Sequence, residues 1–181
     1  MAGEIPILQN KIAIREVIRE DHSVFSRQSI VLPHDNKSLL TPAYLVESYL
    51  AFLRKCTFAI VQPAQAGGKT ALALFGSSLR LLIFSGPEFS ENGRTQSATL
   101  RIEGGLLVQR NGCGKGMLSF IIEIAEEGLL VAVEVCDYCP LLLGGRKSSK
   151  MRKWFYRCTQ AFVHRLITVR FLAHLYKQLK V

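Results

Sequence analysis

Residues 117–135 read MLSFIIEIAEEGLLVAVEV, two apolar runs separated by a charged turn that ends in glycine. In the first run Phe120 and Ile122 alternate with Ser119 and Glu123, and in the second run valine occupies every other position. Side chains of a strand point alternately to its two faces. The pattern therefore predicts two half-buried strands joined by a tight turn.

The same rhythm extends over residues 56–140. Apolar runs alternate there with the glycine-containing segments QAGGK, GSS, SGPEFSENGR and RNGCGKG. Parallel strands need a crossover of about a dozen or more residues, and most of these gaps are too short for one. The sequence predicts an antiparallel meander of about six or seven strands.

The segments before the meander predict one strand and one helix with clear boundaries. Residues 12–18 fit either a strand or a helical turn, and residues 23–32 predict a strand. Thr41 can cap a helix and Pro42 suits its first position, so a helix is expected from there to about Lys55.

Residues 148–180 predict one long C-terminal helix. Apolar side chains recur there at spacings of three, four and seven, and neither proline nor glycine interrupts them. An unbroken helix of this length spans about 45 Å. Its broad apolar stripe must be buried, and the concave face of the meander is the only large partner that the chain offers.

This order of elements resembles the helix-grip proteins, that is, the START-like or SRPBCC superfamily. Residues 154–172, WFYRCTQAFVHRLITVRFL, are similar to the closing helix of some bacterial members. The resemblance covers residues 23–180. It implies an α+β fold in which a curved antiparallel meander grips one long C-terminal helix. Residues 1–181 would form a single domain, with strand, helix and meander in 23–145 and the long helix in 148–180.

The resemblance also implies a cavity between the sheet and the C-terminal helix that binds a hydrophobic or lipid-like molecule. Its expected lining residues come from the inward positions of the meander and from the helix: Phe120, Ile122, Val131, Val133, Trp154, Phe155, Phe162 and Tyr176. Packed core is the alternative interpretation of each of them, because apolar stripes of this kind most often form core.

A small enzyme of the cyclase or aromatase kind, using the same cavity, is the alternative function. His164 would be its candidate base, whereas Glu123 and Glu134 fall on the outward face of their strands. The sequence contains no legible Ser-His-Asp arrangement and no paired carboxylates. Binding without catalysis is therefore the expectation.

Residues 59–74, AIVQPAQAGGKTALAL, end like a phosphate-binding loop. Such a loop needs a glycine where this chain has Pro63, and proline offers neither an N–H group nor the required φ. A hairpin turn at Gly67 and Gly68 explains the segment more simply.

The cysteines favour neither a metal site nor a disulfide framework. Their number is five, which points to a reducing compartment and thus to the cytoplasm. Cys136 and Cys139 have the spacing of a metal knuckle or a redox pair, but no second CxxC follows and the expected helix context is absent. We interpret them as thiols at a strand end, and we predict no metal and no cofactor.

The net charge of +9 lies in the C-terminal tail. Ten of the 23 basic residues fall within 141–181, which has no Asp or Glu, so the other 13 are balanced by all 14 acidic residues. One interpretation of this charge is a solvated outer face on a packed helix. The other is attraction to an anionic membrane surface, with the segment 141–147, LLLGGRK, as the candidate insertion element. Nucleic acid is disfavoured because no binding motif accompanies the charge. A basic-helix interaction module is a third interpretation.

The ends and apolar runs of the sequence give no membrane or export signal. No apolar stretch reaches the roughly 18 residues that a transmembrane helix needs. The first residues, MAGEIPILQNK, lack both the basic and the apolar region of a signal peptide.

Overall fold

The computed structural model of the chain describes residues 11–21, 23–36, 38–109, 116–141 and 162–179. Within these ranges strands dominate and two α-helices accompany them. In chain order the elements are β1 (Ala13–Ile18), β2 (Val24–Leu32), a 3-10 helix (His34–Asn36), α1 (Pro42–Cys56), β3 (Val61–Ala66), β4 (Lys69–Leu74), β5 (Arg80–Phe84), β6 (Glu88–Asn92), β7 (Thr95–Gly104), β8 (Met117–Ala125), β9 (Gly128–Tyr138) and α2 (Phe162–Leu179).

The strands form one antiparallel sheet in the order β1-β2-β9-β8-β7-β5-β4-β3. Strand β6 also pairs with β7, along the part of the β7 edge that does not pair with β5. The segment 12–18, left open between strand and helix, is the edge strand β1. The predicted α+β class, with an antiparallel meander and a long C-terminal helix, is confirmed.

The hairpin of residues 117–135 lies at the centre of the sheet. Phe120 faces Val133 across the two strands, and both side chains are buried. Gly128 closes the turn at φ +149°, and a Cβ at this position would lie 2.3 Å from the Leu32 carbonyl oxygen. Only glycine permits β9 to approach β2 this closely.

The loop that resembles a phosphate-binding motif is a β-hairpin, as predicted. Gly67 and Gly68 form its turn with φ values of 59° and 74°, between β3 and β4. The Lys69 Nζ lies 2.7 Å from Glu103 Oε2. The lysine that would contact a phosphate is therefore engaged in an ion pair.

One polar segment is a strand although its sequence predicted a loop. Glu88–Asn92, part of SGPEFSENGR, pairs with the start of β7 through a turn at Gly93. All five of its residues are exposed. Alternation is absent because this edge strand has no buried face, so its pairing with β7 left no signal in the sequence.

The two helices lie on the same side of the sheet. The helix α1 starts as predicted, and α2 packs against β2 and α1. The side chains of Phe171, Leu172 and Leu175 on α2 are almost fully buried. The predicted beginning of the C-terminal helix at residue 148 lies outside the described residues.

Thr41 caps α1, since its Oγ1 accepts a hydrogen bond of 3.1 Å from the Tyr44 amide. Replacing Thr41 with Ala removes the acceptor for a free N–H of the first turn. We expect Thr41→Ala to lower the free energy of unfolding by about 1 kcal/mol, measured by urea denaturation. An unchanged value would contradict the capping role.

Candidate functional site

A cavity of about 670 Å³ lies between the sheet and the first half of α2. Its walls come from both helices and from strands as far apart in the sheet as β1 and β3, so the sheet wraps around this space. The apolar part of the wall includes Val24, Leu72, Leu82, Ile102, Leu118 and Val135. The volume falls within the range of about 300–1,000 Å³ that is usual for small-molecule sites.

The cavity occupies only one end of the space between sheet and helices. On β8, Leu118 lines the cavity, whereas Phe120, two residues on and on the same face, does not. The other end is filled where Tyr49 of α1 contacts the rings of Phe120 and Phe171 edge-on, each at a centroid distance of 5.2 Å. These three aromatic rings form the boundary between the packed core and the cavity.

Several polar groups interrupt the apolar wall: Glu16, Ser26, Tyr49, Tyr138, His164 and Arg165. Ser26 is buried on β2, and its Oγ accepts a hydrogen bond of 2.7 Å from Gln28 Nε2. The Ser26 hydroxyl donates to Glu16 Oε1 at 3.5 Å, the outer limit of a hydrogen bond. The Ser26 hydroxyl proton is therefore only weakly hydrogen-bonded.

Two titratable groups of the wall, Tyr49 and His164, are uncharged at neutral pH. Burial raises the pKa of Tyr49 to about 12. The nearby Thr168 hydroxyl opposes this rise, although it forms no hydrogen bond with any described group. Burial lowers the pKa of His164 to about 4. Its residue is partly exposed, but the Nε2 atom is inaccessible and finds no hydrogen-bond partner in the described part of the chain.

Comparisons with known proteins give matches of fold. No protein-family model matches the sequence, and no curated protein matches it either. Among solved structures, a STAR-related lipid transfer protein from Xanthomonas axonopodis is similar at 13% identity and a TM-score of 0.49, over 92% of each chain.

Two further similar structures are Ara h 8.0201 and CalU16. Ara h 8.0201 has 13% identity and a TM-score of 0.37 over 82% of this chain and 97% of its own. CalU16 from Micromonospora echinospora has 13% identity and a TM-score of 0.32 over 91% of this chain and 81% of its own. The sheet order and the terminal helix decide the class. The chain has a helix-grip fold, an antiparallel sheet packed against a C-terminal helix.

The sheet residues predicted to line the cavity lie instead at the packed end of the space between the sheet and the helices. Phe120, Ile122, Val131 and Val133 are buried in the core, and none of them reaches the cavity. Their neighbours on the same faces, among them Leu118, line it instead. The sequence identified the inward faces of the strands but not which end of each face stays open.

The helix residues predicted to line the cavity lie in different places. Tyr176 lies in the second half of α2, where its hydroxyl accepts a hydrogen bond of 3.4 Å from Lys11 Nζ, away from the cavity wall. Phe162 begins α2, and Trp154 and Phe155 lie outside the described residues. His164, the base that the resemblance suggested, does line the cavity.

The Cys-x-x-Cys pair does not form an active thiol site. Cys139 is disulfide-bonded and Cys136 is a free thiol, so the two do not pair with each other. Burial raises the pKa of Cys136, which keeps it protonated at neutral pH. A disulfide is typical of oxidising compartments, so the cytoplasmic location stays a prediction.

Neither a metal-ligand cluster nor a membrane-spanning helix occurs in the described residues. No cluster of three or more His, Cys, Asp or Glu side chains in those ranges could hold a metal ion. None of the described helices is both long and apolar enough to cross a membrane.

Proposed function

We propose that the chain binds a neutral amphipathic molecule of about twenty non-hydrogen atoms in the helix-grip cavity. The observation that carries this proposal is a large apolar cavity in which the polar wall groups Ser26, Tyr49 and His164 are all uncharged.

The size follows from the volume of the cavity. A water molecule accounts for about 30 Å³ of liquid, so about 670 Å³ holds roughly twenty atoms of that size. A single alkyl chain or a compact ring system fits this space. A phospholipid with two full acyl chains is too large to enter completely.

The polarity follows from the groups in the wall. A charged headgroup beside the neutral His164 and Tyr49 would be desolvated without a counter-charge, at a high cost in free energy. A hydroxyl, ketone or amide can instead hydrogen-bond to the Ser26 hydroxyl without bringing a charge into the cavity. Glu16 and Arg165, the two charged residues of the wall, are exposed and have opposite signs.

The same groups favour binding over catalysis. A general base works best when its pKa lies near the operating pH. The pKa of His164, about 4, leaves it a weak proton acceptor at neutral pH. A cyclase-like or aromatase-like reaction therefore has less support than binding.

Filling the cavity with a larger side chain is expected to weaken ligand binding. Leu118→Trp puts an indole into the space, whereas Val31→Trp adds the same group on the outward face of β2. We expect the apolar fluorescent probe N-phenylnaphthylamine to bind the wild type and Val31→Trp alike. Binding to Leu118→Trp should be weaker by roughly tenfold or more, with circular dichroism confirming the fold of all three. Equal binding to all three would refute the proposal.

Competition between matched ligands tests the polarity. A long-chain alcohol and the carboxylic acid of the same chain length differ only in the charge of the polar end. We expect the alcohol to displace the probe at lower concentration than the acid. The opposite order would point to Arg165 as a counter-ion and would contradict a neutral ligand.

A further inference from the structure

We propose that Phe58 and Phe75 insert into the surface of an anionic lipid bilayer and so bring the mouth of the cavity against it. The two rings are 90% and 68% exposed, the most exposed of the large apolar side chains in the described ranges. The role of this insertion rests on the proposed ligand binding, whereas the exposure, backbone conformation and charge that support it do not depend on the cavity.

Both phenylalanines occupy backbone positions that disfavour them. Phe58 follows the C-cap of α1 and Phe75 begins the turn between β4 and β5, each with a φ of 51°. Left-handed positions after helices and in such hairpins favour Gly or Asn, and a bulky residue there is an outlier. Neither ring gains burial in return. Strain of this kind at an exposed site suggests a functional role.

The two turns lie next to each other at the β3 edge of the sheet, close to the cavity wall. The Phe75 amide donates a hydrogen bond of 2.7 Å to the carbonyl of Ile60, two residues after Phe58. Ile60 is itself exposed, and the next residue, Val61, lines the cavity. A bilayer that received the two rings would therefore meet the cavity wall directly.

The charge around the two rings is positive. No acidic residue occurs between Glu47 and Glu88 in the sequence. Of the four cations in that interval, Lys69 is paired with Glu103, whereas Arg54, Lys55 and Arg80 form no ion pair with any described residue. Arg54 and Lys55 lie in the last turn of α1, just before Phe58, and Arg80 follows the turn of Phe75. Cations of this kind attract anionic headgroups.

A bilayer fits these features better than a protein partner does. Two rings that project from adjacent turns, with cations beside them, match the combination that membrane-surface proteins present to the headgroup region. The predicted insertion element LLLGGRK also begins near this mouth, because the Leu141 amide donates to the Leu107 carbonyl and Leu107 lines the cavity. Residues 142–147 lie outside the described ranges.

The test replaces each phenylalanine with asparagine, which suits a left-handed backbone and removes the apolar ring. Binding is measured by flotation with vesicles of phosphatidylcholine alone or mixed equally with phosphatidylglycerol. We expect the wild type to bind the mixed vesicles, and each of Phe58→Asn and Phe75→Asn to weaken binding by roughly tenfold. Their melting temperatures should stay unchanged or rise.

Phe89→Asn is the matched control, because Phe89 is 59% exposed on β6 and does not line the cavity. It should bind vesicles like the wild type. Equal vesicle binding by Phe58→Asn, Phe75→Asn and the wild type would overturn the proposal. So would a wild-type protein that does not bind the mixed vesicles. A wild-type dimer that Phe75→Asn dissociates would overturn it in favour of self-association. Unchanged binding of N-phenylnaphthylamine in both variants would separate a failure here from a failure of the cavity proposal.

Discussion

Phe120→Ala is expected to lower the free energy of unfolding by about 3–5 kcal/mol, the usual cost of removing a fully buried aromatic ring. The Phe120 side chain is 1% exposed. It contacts the Tyr49 ring edge-on at 5.2 Å and faces Val133 on the neighbouring strand. Removing it leaves a new void at the boundary between the core and the cavity. Urea denaturation at neutral pH measures the loss.

Leu118→Ala is the matched comparison, because Leu118 lies on the same face of the same strand but borders space that is already empty. Its loss should be nearer the lower end of the range for Leu→Ala, about 2 kcal/mol. A loss for Leu118→Ala as large as that for Phe120→Ala would mean that the cavity end is as tightly packed as the core. The assignment of the cavity would then be wrong.

The contrast between these two residues also shows how far the sequence can predict the site. Leu118, Phe120 and Ile122 have the same chemistry and the same period, so alternation identifies their common face and nothing more. What separates them is the ring of Tyr49, which lies about 70 residues away in the sequence. The strands were predictable because periodicity is local, and the open end was not because helix–sheet packing is long-range.

The same limit applies to the polar wall and to the edge strand. Thr41 and Pro42 signal the start of α1 by their own chemistry, and the structure confirms it. In the sequence Ser26 is an ordinary strand residue. It becomes part of a buried wall only because the sheet wraps around the cavity. The strand β6 had no local signal because all of its side chains are exposed.

We expect His164 to lower the free energy of unfolding as the pH falls below neutral. Burial depresses its pKa from 6.5 to about 4 in the folded state. Above pH 6.5 neither state binds the proton, so His164 contributes no pH dependence. Between 6.5 and 4 only the unfolded state binds it, so stability falls as pH falls. Below about 4 the full cost applies, about 3 kcal/mol for a shift of this size.

His164→Gln isolates this contribution, because glutamine keeps a polar side chain at the wall and does not titrate. Other groups also change stability with pH: hydrogen bonds to Ser23 and Arg101, respectively, lower the pKa values of Asp21 and Glu88. Those effects are common to the wild type and the variant and cancel in their difference. Desolvation is the only cause of the His164 shift, although Glu16 and Arg165 line the same cavity.

The measurement is the free energy of urea unfolding at neutral pH and near pH 4.5, for both proteins. We expect the wild type to lose about 2–3 kcal/mol more than His164→Gln on acidification. An equal loss would mean that the imidazole ionises freely in the folded protein and that His164 is solvated. A neutral His164 in the wall requires the steeper loss, because desolvation disfavours the imidazolium in the folded state.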